Sequence, residues 1–322
     1  MINEFEIIAW IKKQAPLFDD SLGIGDDAAV ITHNSSHKLV VTTDALVEGV
    51  HFTMNSFKAS DVGYKSLAVN ISDLAAMGAK PTQVLVSLGI PSELSFEWIQ
   101  GYYSGFFELC RKYSITLVGG NMTKSAKGFW CSITLMGEPI SDPVFKRDAA
   151  LIEDVICVSG YLGWAALGFE YLKRDLTVEN DYTQRQKRPN ARMDVAQFIS
   201  RHEGVHAVMD ISDGLSSDLT HLLRASQKNA QINLTGLMDS SFVQACYEQK
   251  LNPFELILNG GEDYELLLTV SANSWDQFEC EAKQANLHFI PIGSIMPGEG
   301  VITLKQDDGS FVSVSPSGYR HF

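Results

Sequence analysis

The chain has 322 residues, 45% of them hydrophobic and 20% charged, and a formal net charge of −14. That length accommodates two domains, each able to bury its own core, and the mixed composition excludes a disordered or fibrous chain. The acid excess, with no cluster of Lys and Arg, excludes a nucleic-acid binder that relies on phosphate contacts, yet it leaves room for carboxylates gathered around divalent cations.

In chain order, the opening "MINEFEIIAWIKKQ" places acids where a signal peptide needs a basic start, and reads instead as a helix over residues 3–14. The loop "FDDSLGIGDD" follows, then strands around "AAVIT" and "HKLVVTTDAL". The next helix is expected from Ser60, as its N-cap, to Gly78. "TQVLVSLGI" reads as a strand, "SELSFEWIQGYYSGFFELCRKYS" as a helix, and "ITLVGG" and "FWCSITLMGE" as strands rich in β-branched and aromatic residues.

"PISDPVFKRDAALIED" breaks the pattern with two prolines and mixed charge, and is read as a joint between residues 1–140 and 141–322. Beyond it come the strand "VICVSG", a helix at "WAALGFEYLKR", a polar stretch with "RQKRPNAR", another helix and "HAVMDIS". A helix at "SSDLTHLLRAS", a strand "AQINLT" and strands near "YELLLTV", "FIPIGSI" and "GVITL" complete the series. Strands and helices on both sides of the joint predict an α/β (α+β) fold of two domains, each a mixed sheet with helices on one face. No stretch reaches the roughly 18 apolar residues of a membrane span, and five cysteines without a CxxC pair read as reduced thiols of a cytoplasmic protein.

Acids occupy unusual places along this frame. Asp26 and Asp27 lie in a Gly-rich turn, Asp44 ends an apolar strand, Asp73 sits within the apolar helix, Asp210 and Asp213 follow a strand, and Glu262 and Asp263 follow Gly-Gly. Singly, each is explained by the preference of Asp for turns and caps. Together they need a counter-charge. Ser66, Asn70 and Asp73 share one face of their helix, beside small residues that let another backbone approach. With few basic side chains nearby, hard divalent cations are the economical partner, and Thr42, Thr43 and Ser72 add oxygens of the right kind. "NISDLAAMG" and "MDISDGLSSDL" also repeat Ile-Ser-Asp, too short an echo to establish duplication.

Two motifs are set aside. "GIGDDA" has the glycine spacing of a dinucleotide fingerprint but leads into a strand, and "HEGVH" has zinc-protease spacing but runs through Gly204 into strand-like sequence. No Walker A sequence is present, because the chain has no Gly-Lys dipeptide.

Read in order, "GIGDDAAV", "TTDALVEGVHF", "NISDLAAMGAKP", "VGGNMT", "MDISDGLSSDL", "NGGEDYELL" and "GYRHF" resemble thiamine-monophosphate kinases, within the superfamily of aminoimidazole ribonucleotide synthetase-like ATP-binding proteins. The resemblance implies phosphoryl transfer from ATP to thiamine phosphate, giving thiamine diphosphate and ADP, with several Mg²⁺ ions. Metal positions are implied at Asp27, Thr42, Thr43, Asp44, Asp73, Asp210 and Asp213, of which Asp44, Asp73 and Asp210 are the catalytic candidates. Nucleotide positions are implied at Tyr103, Gly119, Gly120, Arg147 and Ser212, and substrate contacts at His51, Glu262 and Tyr319. The resemblance further implies a homodimer formed through the N-terminal sheet, with the C-terminal domain covering the cleft. Two departures stand out: Asn121 replaces a carboxylate ligand of the family by a neutral amide, and Trp164 stands where an acid or small polar residue is usual. The alternatives are therefore a nucleotide-binding homologue weakened at Asn121, or another ATP-using synthetase of the superfamily.

Overall fold

Alternation of apolar residues builds the first sheet. The computed structural model describes residues 6, 8, 10, 25–34, 37–306 and 308–319. Strands β1 (Ala29–Asn34), β2 (His37–Val47), β3 (Ala79–Ile90), β4 (Thr116–Lys124) and β5 (Trp130–Pro139) pair in the order β1-β2-β5-β3-β4, antiparallel except for β3 with β4. Val84, Val86 and Leu88 of β3 and Cys131, Ile133 and Leu135 of β5 are buried on one face, with more exposed residues between them. That face is covered by α1 (Ala59–Ala76) and α2 (Phe96–Tyr113).

The second unit is a seven-stranded sheet. Strands β6 (Val155–Val158), β7 (Val205–Asp210), β8 (Lys228–Ile232), β9 (Leu266–Val270), β10 (Ile290–Pro297), β11 (Ile302–Lys305) and β12 (Phe311–Val314) lie in the order β12-β11-β8-β10-β6-β9-β7. Its helices are α3 (Trp164–Arg174), α4 (Asp181–Lys187), α5 (Met193–Ile199), α6 (Leu215–Ser226), α7 (Ser240–Glu248), α8 (Pro253–Asn259) and α9 (Trp275–Gln284). Helices on one face describe the first sheet; the second is packed on both. Ile156, Val158, Met209 and Leu267 join a core with α6 and α7, whereas Cys157, Val208, Leu266 and Leu268 join the core that also holds α1, α5 and α9.

Helix α1 is thus enclosed from two sides, by β2, β3, β5 and α2 of its own unit and by β7 and α5 of the other. Burial from both sides accounts for the apolar Leu67, Ala68, Ile71, Leu74 and Ala75, while the buried polar residues Lys65, Ser66, Asn70 and Ser72 are hydrogen-bonded or ion-paired.

Several expectations need correction. Ser60 is inside α1, not its cap: the Asp61 carboxylate accepts from Lys58 N at 3.1 Å and starts the helix earlier. The first residues of "RQKRPNAR" are helical because Asn180 caps α4 by accepting from Thr183 N at 2.8 Å. Helices α7, α8 and α9 and strand β12 were not anticipated. The helix expected over 3–14 falls outside the described residues apart from Glu6, Ile8 and Trp10. All five cysteines are free thiols, four of them buried, and among the described residues no helix is long and apolar enough to cross a membrane.

Candidate active site

A cavity of about 800 Å³ opens where the two units meet, lined by strands, helices and loops of both. From the first unit, β2 supplies Thr42, Thr43 and Asp44, and α1 supplies Asp73. Thr42 Oγ1 donates to Asp73 Oδ2 at 2.5 Å, and the Asn70 amide oxygen accepts from Asp44 N at 3.1 Å. Thr43 is held by its hydroxyl, which donates to Ile133 O at 2.9 Å. Asp27 accepts from Arg147 Nη2 at 2.6 Å, while Arg147 Nε lies 3.3 Å from Asp26 Oδ1.

From the second unit come Asp210, at the end of β7, and Ser212 and Asp213 just beyond it. Ser72 Oγ donates to Asp210 Oδ2 at 2.6 Å, so the two Ile-Ser-Asp stretches meet in space. Their local structures differ, one lying within a helix and the other just beyond a strand end.

Desolvation by burial is the first cause of unusual acidity here, and the neighbouring carboxylates are the second. Asp73 is pushed well above its ordinary value by burial, then by Asp44 and Asp210. Burial raises Asp210 to about 8, with Asp27 and Asp44 adding to the rise and Ser72 opposing it. Asp27 is raised to about 6 by burial and Asp26, against the pull of Arg147. Its Oδ2 is buried without a hydrogen-bond partner. Such a set of oxygen donors, with an orphaned carboxylate oxygen and an excess of mutually repelling charge, fits hard divalent cations such as Mg²⁺. Among the described residues no trio of His, Cys, Asp or Glu is already closed around a single point; the acids ring a volume.

The other candidates line the same cavity. His51 Nδ1 accepts from Val47 N at 3.0 Å, which leaves the ring proton on Nε2. Tyr319 is brought in by its backbone, whose N–H donates to Asp213 O at 3.0 Å. Glu262 is not a bare anion: Lys65 Nζ lies 2.7 Å from its Oε1, and Gln186 Nε2 donates to its Oε2. Lys65 is fully buried and also donates to Gln186 O at 3.1 Å. Lys65, Gln186 and Tyr264 are site residues that sequence reasoning missed, although a charge inside an apolar helix, the signal that singled out Asp73, applies equally to Lys65.

Asp27, Thr42, Thr43, Asp44, His51, Asp73, Arg147, Asp210, Ser212, Asp213, Glu262 and Tyr319 all line this cavity. Tyr103, Gly119, Gly120 and Asn121 do not. Asn121 is exposed on the sheet-edge strand β4, in register with Ser87, and the sheet itself accounts for Gly120, where a Cβ would lie 1.9 Å from Val86 O. Trp164 opens α3 in an aromatic group with Tyr161 and Tyr182, at centroid distances of 5.9 and 5.1 Å, and is not among the lining residues. The zinc-like "HEGVH" is not helical: β7 begins at Val205, and His206 Nδ1 pairs with Asp154 Oδ2 at 2.8 Å.

Comparison with known proteins places this geometry. Residues 25–138 match the family model described as AIR synthase related protein, N-terminal domain, and residues 153–305 match the corresponding C-terminal domain. The thiamine-monophosphate kinase of Aquifex aeolicus is 36% identical over 100% of this chain and 98% of its own length. The chain belongs to the thiamine-monophosphate kinase family. The enzyme of the same name from Bacillus subtilis is also 36% identical, over the whole of both chains. Among solved structures, AaThiL complexed with AMPPCP and TMP superposes with a TM-score of 0.86 at 35% identity, covering 99% of this chain and 97% of that one.

Proposed function

We propose that the chain transfers the terminal phosphoryl group of ATP directly to thiamine phosphate, giving thiamine diphosphate and ADP. The observation that carries this reading is one cavity in which Asp27, Asp44 and Asp73 of the first unit face Asp210 and Asp213 of the second. Membership of the kinase family and the bound ATP analogue and TMP of AaThiL supply donor and acceptor.

The physical problem is to bring two phosphate anions together. An oxygen of the acceptor phosphate attacks the γ-phosphorus in line, and the bond to the ADP oxygen breaks. That acceptor needs no general base, because a monoester with a second pKa of about 6 is already largely dianionic at neutral pH. Mg²⁺, held by Asp27, Thr42, Thr43, Asp44, Asp73, Asp210 and Asp213, would supply the positive charge between the anions. The chain's own part is positioning. Arg147 and Ser212 face the nucleotide, while His51, Glu262 and Tyr319 orient the acceptor, with Lys65 and Gln186 fixing the Glu262 carboxylate.

The face of the first sheet that no described helix covers, with Ile31, Val47 and Leu85 exposed, is the surface we propose for the homodimer. In this reading a second copy approaches Gly119, Gly120 and Asn121 on the edge strand β4, and Tyr103 on α2. Asn121 stands apart from the acid ring of its own chain. The test is a coupled ADP-release assay with ATP, Mg²⁺ and thiamine phosphate, with the product identified by mass. Acceptor-dependent ADP and thiamine diphosphate are expected; folded protein with no release above a thiamine-only blank overturns the reading.

A further inference from the structure

The strained residues of the site are Glu262 and Tyr264, with φ of +67° and +51°. A bulky aromatic side chain in the left-handed region is a genuine outlier, and such strain persists only where the surroundings over-determine it. Here they do. Between the two, Asp263 is buried, and its carboxylate accepts from Gly163 N at 2.7 Å and Ala165 N at 3.2 Å, at the start of α3. On the other side, Glu262 N donates to Ser212 O at 2.7 Å and Tyr264 N donates to Ile211 O at 2.9 Å. Asp263 is drawn to the helix, and its two neighbours are left lining the cavity.

Tyr264 lines the cavity although it is only 8% exposed. The carboxylates that bear on its phenol are Glu262, assigned to the acceptor, and Asp44, Asp210 and Asp73, assigned to the metals. Tyr264 thus shares one cavity with both sets of carboxylates. Burial, reinforced by those four acids, holds the phenol well above its ordinary pKa, so the hydroxyl keeps its proton. A neutral donor suits this position, since ionised carboxylates cannot donate to phosphoryl oxygens.

We propose that Tyr264 is a catalytic residue whose hydroxyl donates a hydrogen bond to an oxygen of the phosphoryl group in transfer, the clamped backbone being what aims it there. The inference rests on the phosphotransfer reading above. No proton moves and no covalent bond forms to the tyrosine; the bond strengthens as charge develops on the oxygen.

Tyr264→Phe keeps the ring and removes the donor. It is expected to lower kcat about a hundredfold, the scale seen when one preorganised donor is lost, with KM for ATP and thiamine phosphate little changed. Calorimetry should show a parallel loss of affinity for ADP–aluminium fluoride in the presence of thiamine phosphate, and unchanged affinity for AMPPCP. Should the Phe variant not fold, Tyr264→Gln, which retains a donor, is expected to turn over faster than Tyr264→Leu of similar volume; equal rates overturn the inference. An unmutated chain that releases no ADP removes the phosphotransfer reading and this inference together. An active chain whose Tyr264→Phe variant keeps kcat within about threefold, with ADP–aluminium fluoride affinity intact, removes the inference alone.

Discussion

Ser72 Oγ donates a 2.6 Å hydrogen bond to Asp210 Oδ2, tying the buried face of α1 to the end of β7. The bond favours the ionised carboxylate and opposes the rise that burial, Asp27 and Asp44 impose on Asp210. Ser72→Ala is therefore expected to raise the Asp210 pKa further. At neutral pH a smaller fraction of Asp210 is then ionised, so Mg²⁺ binds more weakly and the rising limb of the kcat/KM profile moves to higher pH. A profile of the variant that overlays the unmutated one would show the hydroxyl to be indifferent to the site.

The Lys65–Glu262 pair joins the two units through one buried ammonium, with Nζ to Oε1 at 2.7 Å. Lys65→Met leaves the Glu262 carboxylate without its counter-charge. A fully buried pair loses about 3–5 kcal/mol when one partner is removed; because the Glu262 side chain is 25% exposed, solvent screens part of that loss, and about 2 kcal/mol is expected. Lys65→Met with Glu262→Gln should recover part of it. Urea denaturation of the two single variants and the double variant measures the coupling, and strict additivity would mean the pair does not act as one.

Much of this was legible from the chain. Helix α3 has the span read from the sequence, since Gly163 precedes its apolar spacing and charged residues close it. Asp44, Asp73 and Asp210 were visible as charges where the surrounding pattern is apolar. Lys65 carried the same signal, but its partner Glu262 is nearly 200 positions away, and no local periodicity reports such a pairing. Helix α4 is polar along its length and owes its place to the Asn180 cap and to Lys187, whose Nζ lies 2.9 Å from Glu179. The left-handed backbone at Tyr264 was illegible in principle, because Asp263 enforces it through contacts with α3 about 100 residues earlier.

Helices α1 and α2 approach closely through two glycines. A Cβ at Gly63 would lie 1.8 Å from Tyr102 O, and one at Gly105 would lie 1.8 Å from Ser60 O. Backbone cannot yield as a flexible side chain does, so the helices must separate and their shared core loosens. Gly63→Ala and Gly105→Ala are each expected to destabilise by about 2–3 kcal/mol, the upper range for overpacking. Gly119→Ala, whose Cβ would meet Leu85 Cδ2 at 3.4 Å, provides the comparison and should change stability by less than ~0.5 kcal/mol. Equal midpoints for all three in thermal unfolding would refute the close approach.

The acid ring makes metal-free stability depend on pH with a definite sign. Asp27 and Asp210 are raised from 3.8 to about 6 and about 8, and Asp73 is raised as well. At a pH between the unfolded and folded values the native state holds protons that the unfolded chain has released, so native stability falls as pH rises. The stabilising contribution is complete below about pH 4 and is lost through about 6 for Asp27 and about 8 for Asp210. Each group contributes up to ~1.4 kcal/mol per pH unit within its window. Metal-free protein should therefore melt at progressively lower temperature from pH 5 to about pH 9. Mg²⁺ should flatten the part due to the acid ring. It should leave a residual slope from Asp263, raised to about 7 by burial while it caps α3. Asp73→Asn removes one of the repelling charges, so the metal-free variant should be more stable than the unmutated chain at pH 8 and have lost most of its turnover. A metal-free melting profile flat across this range, or one that Mg²⁺ leaves unchanged, would mean that these carboxylates do not share one charged volume.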